Sequence, residues 1–201
     1  MKRGEGIILV NTGGGKGKTT AALGIALRAC GYDLHGVMIQ FIKGSWFYGE
    51  KKSFKKLAPN FKLITHGKGF VGIIDDKLPF KEHKKIAREA IEIAKKEVIK
   101  ESNDIVILDE INYAAHGKLI TIQDILDIIK LKNPTTDLIL TGNYADKRII
   151  DLADTVTEMK EIKHTYSKGK LAKIERAIVT VKRILGIYFI YFVSKKFKGI
   201  A

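Results

Sequence analysis

The chain is poor in several things. Cys30 is its only cysteine, so no internal disulfide can form and a reducing cytosol suits it. No run of about 18 apolar residues occurs, which excludes a membrane-spanning helix. The opening MKRGEGIILV carries an apolar run too short for a secretory signal, so a cytoplasmic location is expected. There is no internal repeat and no low-complexity linker. Acidic side chains are scarce: 22 Asp and Glu stand against 36 Lys and Arg, a net charge of +14. An anionic partner could use that surplus. However, lysines such as Lys84, Lys85, Lys95, Lys96 and Lys100 are scattered with glutamates between them, which describes a solvated surface. No basic stripe studded with aromatics and no nucleic-acid module is present, so no nucleic-acid partner is expected.

What is present is enough for a folded domain. Hydrophobic residues make up 45% of 201 residues, which excludes disorder and suits one domain with a sizeable core. Short apolar runs alternate with segments of helical spacing. Strands are expected at 6–12, 36–42, 61–65, 104–110, 137–142 and 154–159, the last taken as the final strand. Helices are expected at 18–31, 81–100, 121–132 and 146–153. Thr121 is the expected N-cap of the third, with Asn133-Pro134 as its stop. Strands apolar on both sides and separated by helices imply an α/β fold, a mainly parallel sheet with helices on both faces. The stretches 43–60 and 66–80 are expected to be long loops, and loops of such length are often functional.

Two motifs carry chemistry. Residues 11–20 read NTGGGKGKTT, between a strand and a helix. Gly17, Lys18 and Thr19 fit the end of the G-x-x-x-x-G-K-[ST] phosphate loop, although Thr12 stands where its first glycine should be. Glycines allow backbone N–H groups to converge on phosphate oxygens, and the helix N-terminus adds a favourable dipole. Lys18 supplies a point charge, and the Thr19 hydroxyl is placed to bind Mg²⁺. The second motif, VILDE at 106–110, ends in Asp109 and Glu110 at the carboxyl end of a strand, the edge where open α/β sheets bind ligands. One carboxylate can hold Mg²⁺ or its waters and the other can orient a nucleophile. Together the motifs imply a Mg²⁺–nucleoside triphosphate. They leave three reactions open: hydrolysis by a motor or recombinase, phosphoryl transfer by a kinase, or attack on a carbon of the nucleotide.

More blocks occur in order: TGGGKGKTTAALG (12–24), QFIKGSW (40–46) with Gly49-Glu50, LDEINY (108–113), Thr141-Gly142 and DLADTVTEMKEIKH (151–164). With these the chain resembles the P-loop ATP:cob(I)alamin adenosyltransferases over about residues 6 to 172. The resemblance implies a RecA-like fold and transfer of the 5′-deoxyadenosyl group of ATP to the Co(I) of a reduced corrinoid, with triphosphate leaving. The alternative from charge and the Asp-Glu pair is a RecA-like ATPase stimulated by nucleic acid. In the family the T-G-x-G-K-G-K-T-T form is the ordinary loop, so Thr12 belongs there. The resemblance assigns Thr12, Gly13, Gly14, Gly15, Lys16, Gly17, Lys18, Thr19 and Thr20 to ATP. Lys18, Thr19 and Glu110 would carry catalysis, and Thr19, Asp109 and Glu110 the Mg²⁺ ion. It further implies that the triphosphate sits in reversed orientation, and that the protein is a homodimer served by an electron donor that reduces cobalt.

The corrin side departs from the family. An aromatic pair, Phe-x-Trp, packs under the corrin in the family; Phe70 matches the first and Gly72 replaces the second. Trp46 and Phe47 could line the same face, and His164 matches the family's histidine. The family commonly has arginine after Thr-Gly, where this chain has Asn143, with Lys147 or Arg148 as possible substitutes. Beyond residue 172 the family pattern is lost, and ILGIYFIYFV (184–193) is bracketed by basic residues. Residues 1–172 are therefore expected to form the catalytic domain and 173–201 an altered or appended tail without a catalytic role.

Overall fold

The computed structural model describes residues 4–43, 49–69, 78–164, 181–184 and 187–190. A glycine-rich turn separates β1 (Ile8–Thr12) from α1 (Lys18–Cys30). Next come β2 (Gly36–Gln40), α2 (Gly49–Leu57) and β3 (Phe61–Thr65). The chain continues through α3 (Phe80–Val98), β4 (Ile105–Asp109), α4 (Ile111–His116) and α5 (Ile122–Leu131). It then forms β5 (Asp137–Thr141), α6 (Lys147–Leu152) and β6 (Thr155–Glu158). The first six strands make one sheet of order β3-β2-β4-β5-β1-β6, and every pairing in it is parallel.

Parallel neighbours need long crossovers, and each crossover places a helix on a face of the sheet. Alternation along β4 shows the result. Val106 and Leu108 pack on the side of α3, α4 and α5, with Ala87, Ala90, Ala94, Ile111, Ile125 and Ile128. Ile105 and Ile107 pack on the opposite side with Ala22, Ala26 and Ala29 of α1 and Phe54 of α2. Alanines spaced three and four apart on α1 and α3 give these helices a smooth face against the sheet.

One strand, β5, separates the strand leading into the glycine-rich loop from the acidic strand β4. That separation gives the RecA-like order. It also leaves room for α1 and the tip of β4 to converge on one edge. The register aligns Thr65, Gln40 and Asp109 across β3, β2 and β4, and pairs Asn11 of β1 with Thr141 of β5. A row of polar residues thus ends a set of apolar strands.

Some expectations change. Residues 49–57 form α2 within the expected loop 43–60; only Phe54 of it is buried, so a short one-sided helix replaces a loop. Glu50 in its first turn and Lys55 and Lys56 in its last complement the helix dipole. Helix α4 was not expected at all. Thr121 caps α5 as expected, in a reciprocal capping box with Asp124. Strand β6 is not the last: β7 (Val181–Ile184) and β8 (Ile187–Ile190) pair antiparallel as a hairpin in the tail.

Leu108 is fully buried beside Asp109. Leu108→Ala should cost about 2–5 kcal/mol of stability, read as a lower urea midpoint with an unchanged slope. An unchanged midpoint would contradict the packing described.

Candidate nucleotide and metal site

The phosphate loop is built against a distant segment. Gly15 N donates to Met159 O (2.6 Å) and Met159 N donates to Thr12 O (2.8 Å). A Cβ on Gly13 would meet Met159 O at 2.5 Å, and one on Gly15 would meet the Lys160 carbonyl carbon at 2.7 Å. Glycine is required at both because another backbone passes directly over them. Gly14, by contrast, is exposed and a Cβ there meets nothing. Gly17 adopts a left-handed conformation (φ 111°) as N-cap of α1 and provides no side chain to cap the first-turn N–H groups. Those donors are left for an anion.

Thr12 has its own task. Its hydroxyl accepts from Ala145 N at 3.2 Å, holding the turn after β5 against the loop. The glycine of the ordinary pattern could not do this.

Lys18 reaches back into the loop, where Nζ donates to Gly13 O and Gly15 O, both at 2.7 Å. Burial lowers the pKa of its ammonium, and the nearby Glu110 and Asp109 oppose that shift. Lys16 is also lowered, first by desolvation, with Glu161 opposing and Lys18 adding to the effect. Both are cations held in surroundings that an incoming polyanion would improve. Thr20 is exposed on α1.

The Thr19 hydroxyl donates to Asp109 Oδ1 at 2.7 Å. Asp109 is completely buried, and Thr141 Oγ1 also donates to its Oδ1 at 2.8 Å. On its other oxygen, Oδ2 accepts from Gln40 Nε2 at 3.2 Å and lies 3.7 Å from Lys43 Nζ. Lys43 in turn pairs with Glu50 at 2.6 Å. The Asp109 carboxylate therefore accepts three protein hydrogen bonds and has Lys43 as an ion-pair partner. Glu110 differs: it caps α4 in a left-handed conformation (φ 62°), and its N–H donates to Thr141 Oγ1 at 2.9 Å. Burial, then the neighbouring Asp109, pushes its carboxyl up to about 7, while Lys18 and Lys43 oppose this.

The structure thus brings together Lys18, Thr19, Asp109 and Glu110 with Gly13 and Gly15. Phe70, Gly72, Trp46 and Phe47 lie outside the described residues. Neither expected substitute for the missing arginine turns to the loop. Lys147 pairs with Asp151 at 2.7 Å and Arg148 with Asp146 at 2.8 Å, both ion pairs local to α6. Asn143 accepts from Tyr144 N at 2.9 Å, and Tyr144 stacks on His116 with ring centroids 3.9 Å apart. Sequence reading assigned no role to Gln40, Lys43, Thr141 or Met159. The available signal was a polar residue closing an otherwise apolar strand, as at Gln40 and Thr141.

An all-parallel sheet with β5 between the loop strand and the acidic strand, a braced phosphate loop and a threonine–aspartate contact define a RecA-like P-loop protein. The family description "ATP:corrinoid adenosyltransferase BtuR/CobO/CobP" matches residues 4–175, and the chain belongs to this family. A corrinoid adenosyltransferase of a Sinorhizobium species is 36% identical over 167 residues, 82% of this chain and 77% of that protein. One from Escherichia coli K12 is 33% identical over 170 residues, 85% of this chain and 84% of that protein. Among solved structures, a KaiC-like protein from Pyrococcus horikoshii is 17% identical with TM-score 0.48, covering 78% of this chain and 73% of that one. Family membership does not favour the ATPase stimulated by nucleic acid. Among the described residues no helix is long and apolar enough to cross a membrane.

Two outcomes test the geometry. Gly15→Ala should weaken ATP binding by about tenfold or more, since one such clash costs ~1–3 kcal/mol, whereas Gly14→Ala should bind normally. Equal effects in a binding titration would refute the bracing by residues 159 and 160. The second outcome concerns pH. Glu110 titrates near 4.5 when unperturbed and near 7 in the fold, so the unfolded chain binds fewer protons in between. Its stabilising protonated form is full below about 4.5 and is lost as pH rises through about 7. Glu110→Gln, which cannot ionise, should therefore gain stability relative to the parent as pH rises through this window, in paired urea melts of nucleotide-free protein.

Proposed function

We propose that this chain transfers the 5′-deoxyadenosyl group of ATP to the Co(I) of a reduced corrinoid, with the loop and β4 residues above carrying the reaction. The Co(I) electron pair attacks the ribose 5′ carbon and forms a Co–C bond. The C5′–O5′ bond breaks, and its electrons leave with triphosphate as cobalt becomes Co(III). No proton has to be removed from the nucleophile, so no general base is required. The protein's work is orientation and stabilisation of a highly charged leaving group.

Family membership and the convergence of Thr19 on Asp109 beside a braced loop carry this reading. The loop N–H groups and Lys18, with Lys16, Thr12 and Thr20 around them, hold the triphosphate. Glu110 and Thr19 suit Mg²⁺, a hard cation that takes one or two protein oxygens and completes its shell with phosphates and waters. Asp109, which accepts from Thr19, Thr141 and Gln40, acts in this reading from behind Thr19 instead of as a direct ligand. When bound, the ion would neutralise charge on the leaving triphosphate. Phe70 belongs to the corrin side in this reading, where Gly72 marks a difference from the family, and Asn143 marks another where the family has an arginine on the phosphates. Residues 1–172 form the catalytic unit, with 173–201 outside it. A homodimer, a cytoplasmic location and a separate electron donor for cobalt complete the proposal.

Incubation with Mg·ATP and chemically reduced corrinoid should yield adenosylated corrinoid and inorganic triphosphate in equal amounts. Release of orthophosphate in place of triphosphate, or no adenosylated product, would overturn the proposal.

A further inference from the structure

The contacts on the Asp109 carboxylate divide into two sets. Oδ1 faces the nucleotide side, where Thr19 and Thr141 donate to it. Oδ2 is held from the β2 side by Gln40 and Lys43. The phosphate-binding machinery makes no use of this second set.

Gln40 is 1% exposed, and both ends of its amide are committed. Nε2 donates to Asp109 Oδ2, while Oε1 accepts from Thr65 Oγ1 at 3.3 Å. The backbone fixes the same neighbours: Phe41 N donates to Asp109 O, and His66 N donates to Gln40 O. Lys43 is fixed by Glu50 in the first turn of α2. A buried carboxylate keeps one orientation only where donors occupy both oxygens. Without the Gln40 hydrogen bond and the Lys43 charge on Oδ2 it could turn away from Thr19.

We propose that Gln40 and Lys43 are positioning residues for the metal seat. They hold the Asp109 carboxylate so that Oδ1 accepts the hydrogen bond of the Thr19 hydroxyl. The lone pairs of that hydroxyl are then left for a magnesium ion arriving with the triphosphate. The inference rests on the adenosyltransferase reading for the identity of its ligand. Asp109 is the second-sphere partner of Thr19, and losing such a partner commonly changes metal affinity by about 10–100-fold; Gln40 and Lys43 act one contact further out, through Asp109.

The test uses Mn²⁺ in place of Mg²⁺, titrated into the full chain with ATP and followed by electron paramagnetic resonance. Gln40→Met and Lys43→Met should weaken Mn²⁺ binding by about tenfold, the lower end of the range for a direct second-sphere partner, and Lys43→Arg should recover most of the loss. ATP binding without metal should stay within about twofold of the parent in all three. Turnover in the methionine variants should need correspondingly more Mg²⁺ and recover when the metal is saturating. Unchanged metal affinity in folded variants would overturn the inference. So would a loss of metal-free ATP binding equal to the loss of Mn²⁺ binding, the mark of general damage. If Gln40→Met fails to fold, the part-exposed Lys43 carries the test alone. A parent that binds Mn·ATP but adenosylates no corrinoid would sink the functional reading, and the titrations would still decide this inference.

Discussion

A carboxylate with no solvent contact cannot stand alone in a protein interior, and Asp109 is such a carboxylate. Its donors come from the ends of β2 and β5 and from the first turn of α1, and an ion-pair partner comes from the chain just past β2. Each must arrive in register for the charge to be tolerated. The same constraint orders the site: satisfying Asp109 fixes Thr19 relative to β4 and sets Glu110 beside it. Removing a single donor would leave a charge partly unpaired, which costs more than the bond itself was worth.

Glu110 is the complement of that arrangement. It lies one residue along the chain, yet its carboxyl is pushed to about 7, whereas Asp109 is surrounded by donors. Two adjacent acids thus do different work because one is satisfied by the protein and the other is left to be satisfied by what binds. The lysines beside them follow the same logic. Lys18 rests on Gly13 O and Gly15 O, and the carbonyls hold a charge that phosphate would take over.

Much of this was legible in the sequence because it is local. The apolar runs at β1, β2, β4 and β5, the helical spacing of α3 and the Thr121 cap are all properties of a few adjacent residues. The phosphate loop and VILDE could be placed on strand ends for the same reason. What escaped is long-range or sparse. Helix α2 has one buried residue, Phe54, in nine, so its apolar face is too short and its sequence too lysine-rich to stand out from a loop. The partner of Gln40 lies 69 residues further along, and the partner of the Thr12 hydroxyl 133 residues further. No spacing rule connects such pairs; the sheet register does. Thr12 shows the difference well. Sequence comparison makes it an accepted variant of the loop, and the fold supplies the reason in the N–H of Ala145.

The bracing of the loop by Met159 has a consequence for how the chain acquires its site. The motif lies within the first twenty residues, but its backbone is completed by hydrogen bonds from residue 159, on the segment leaving the edge strand β6. During synthesis the loop sequence emerges early and waits for about 140 further residues, at ~5–20 residues per second, before its brace exists. A nascent chain therefore carries the complete signature of a nucleotide-binding protein for many seconds before its binding loop can be completed. Competence therefore has to wait until β6 lies beside β1.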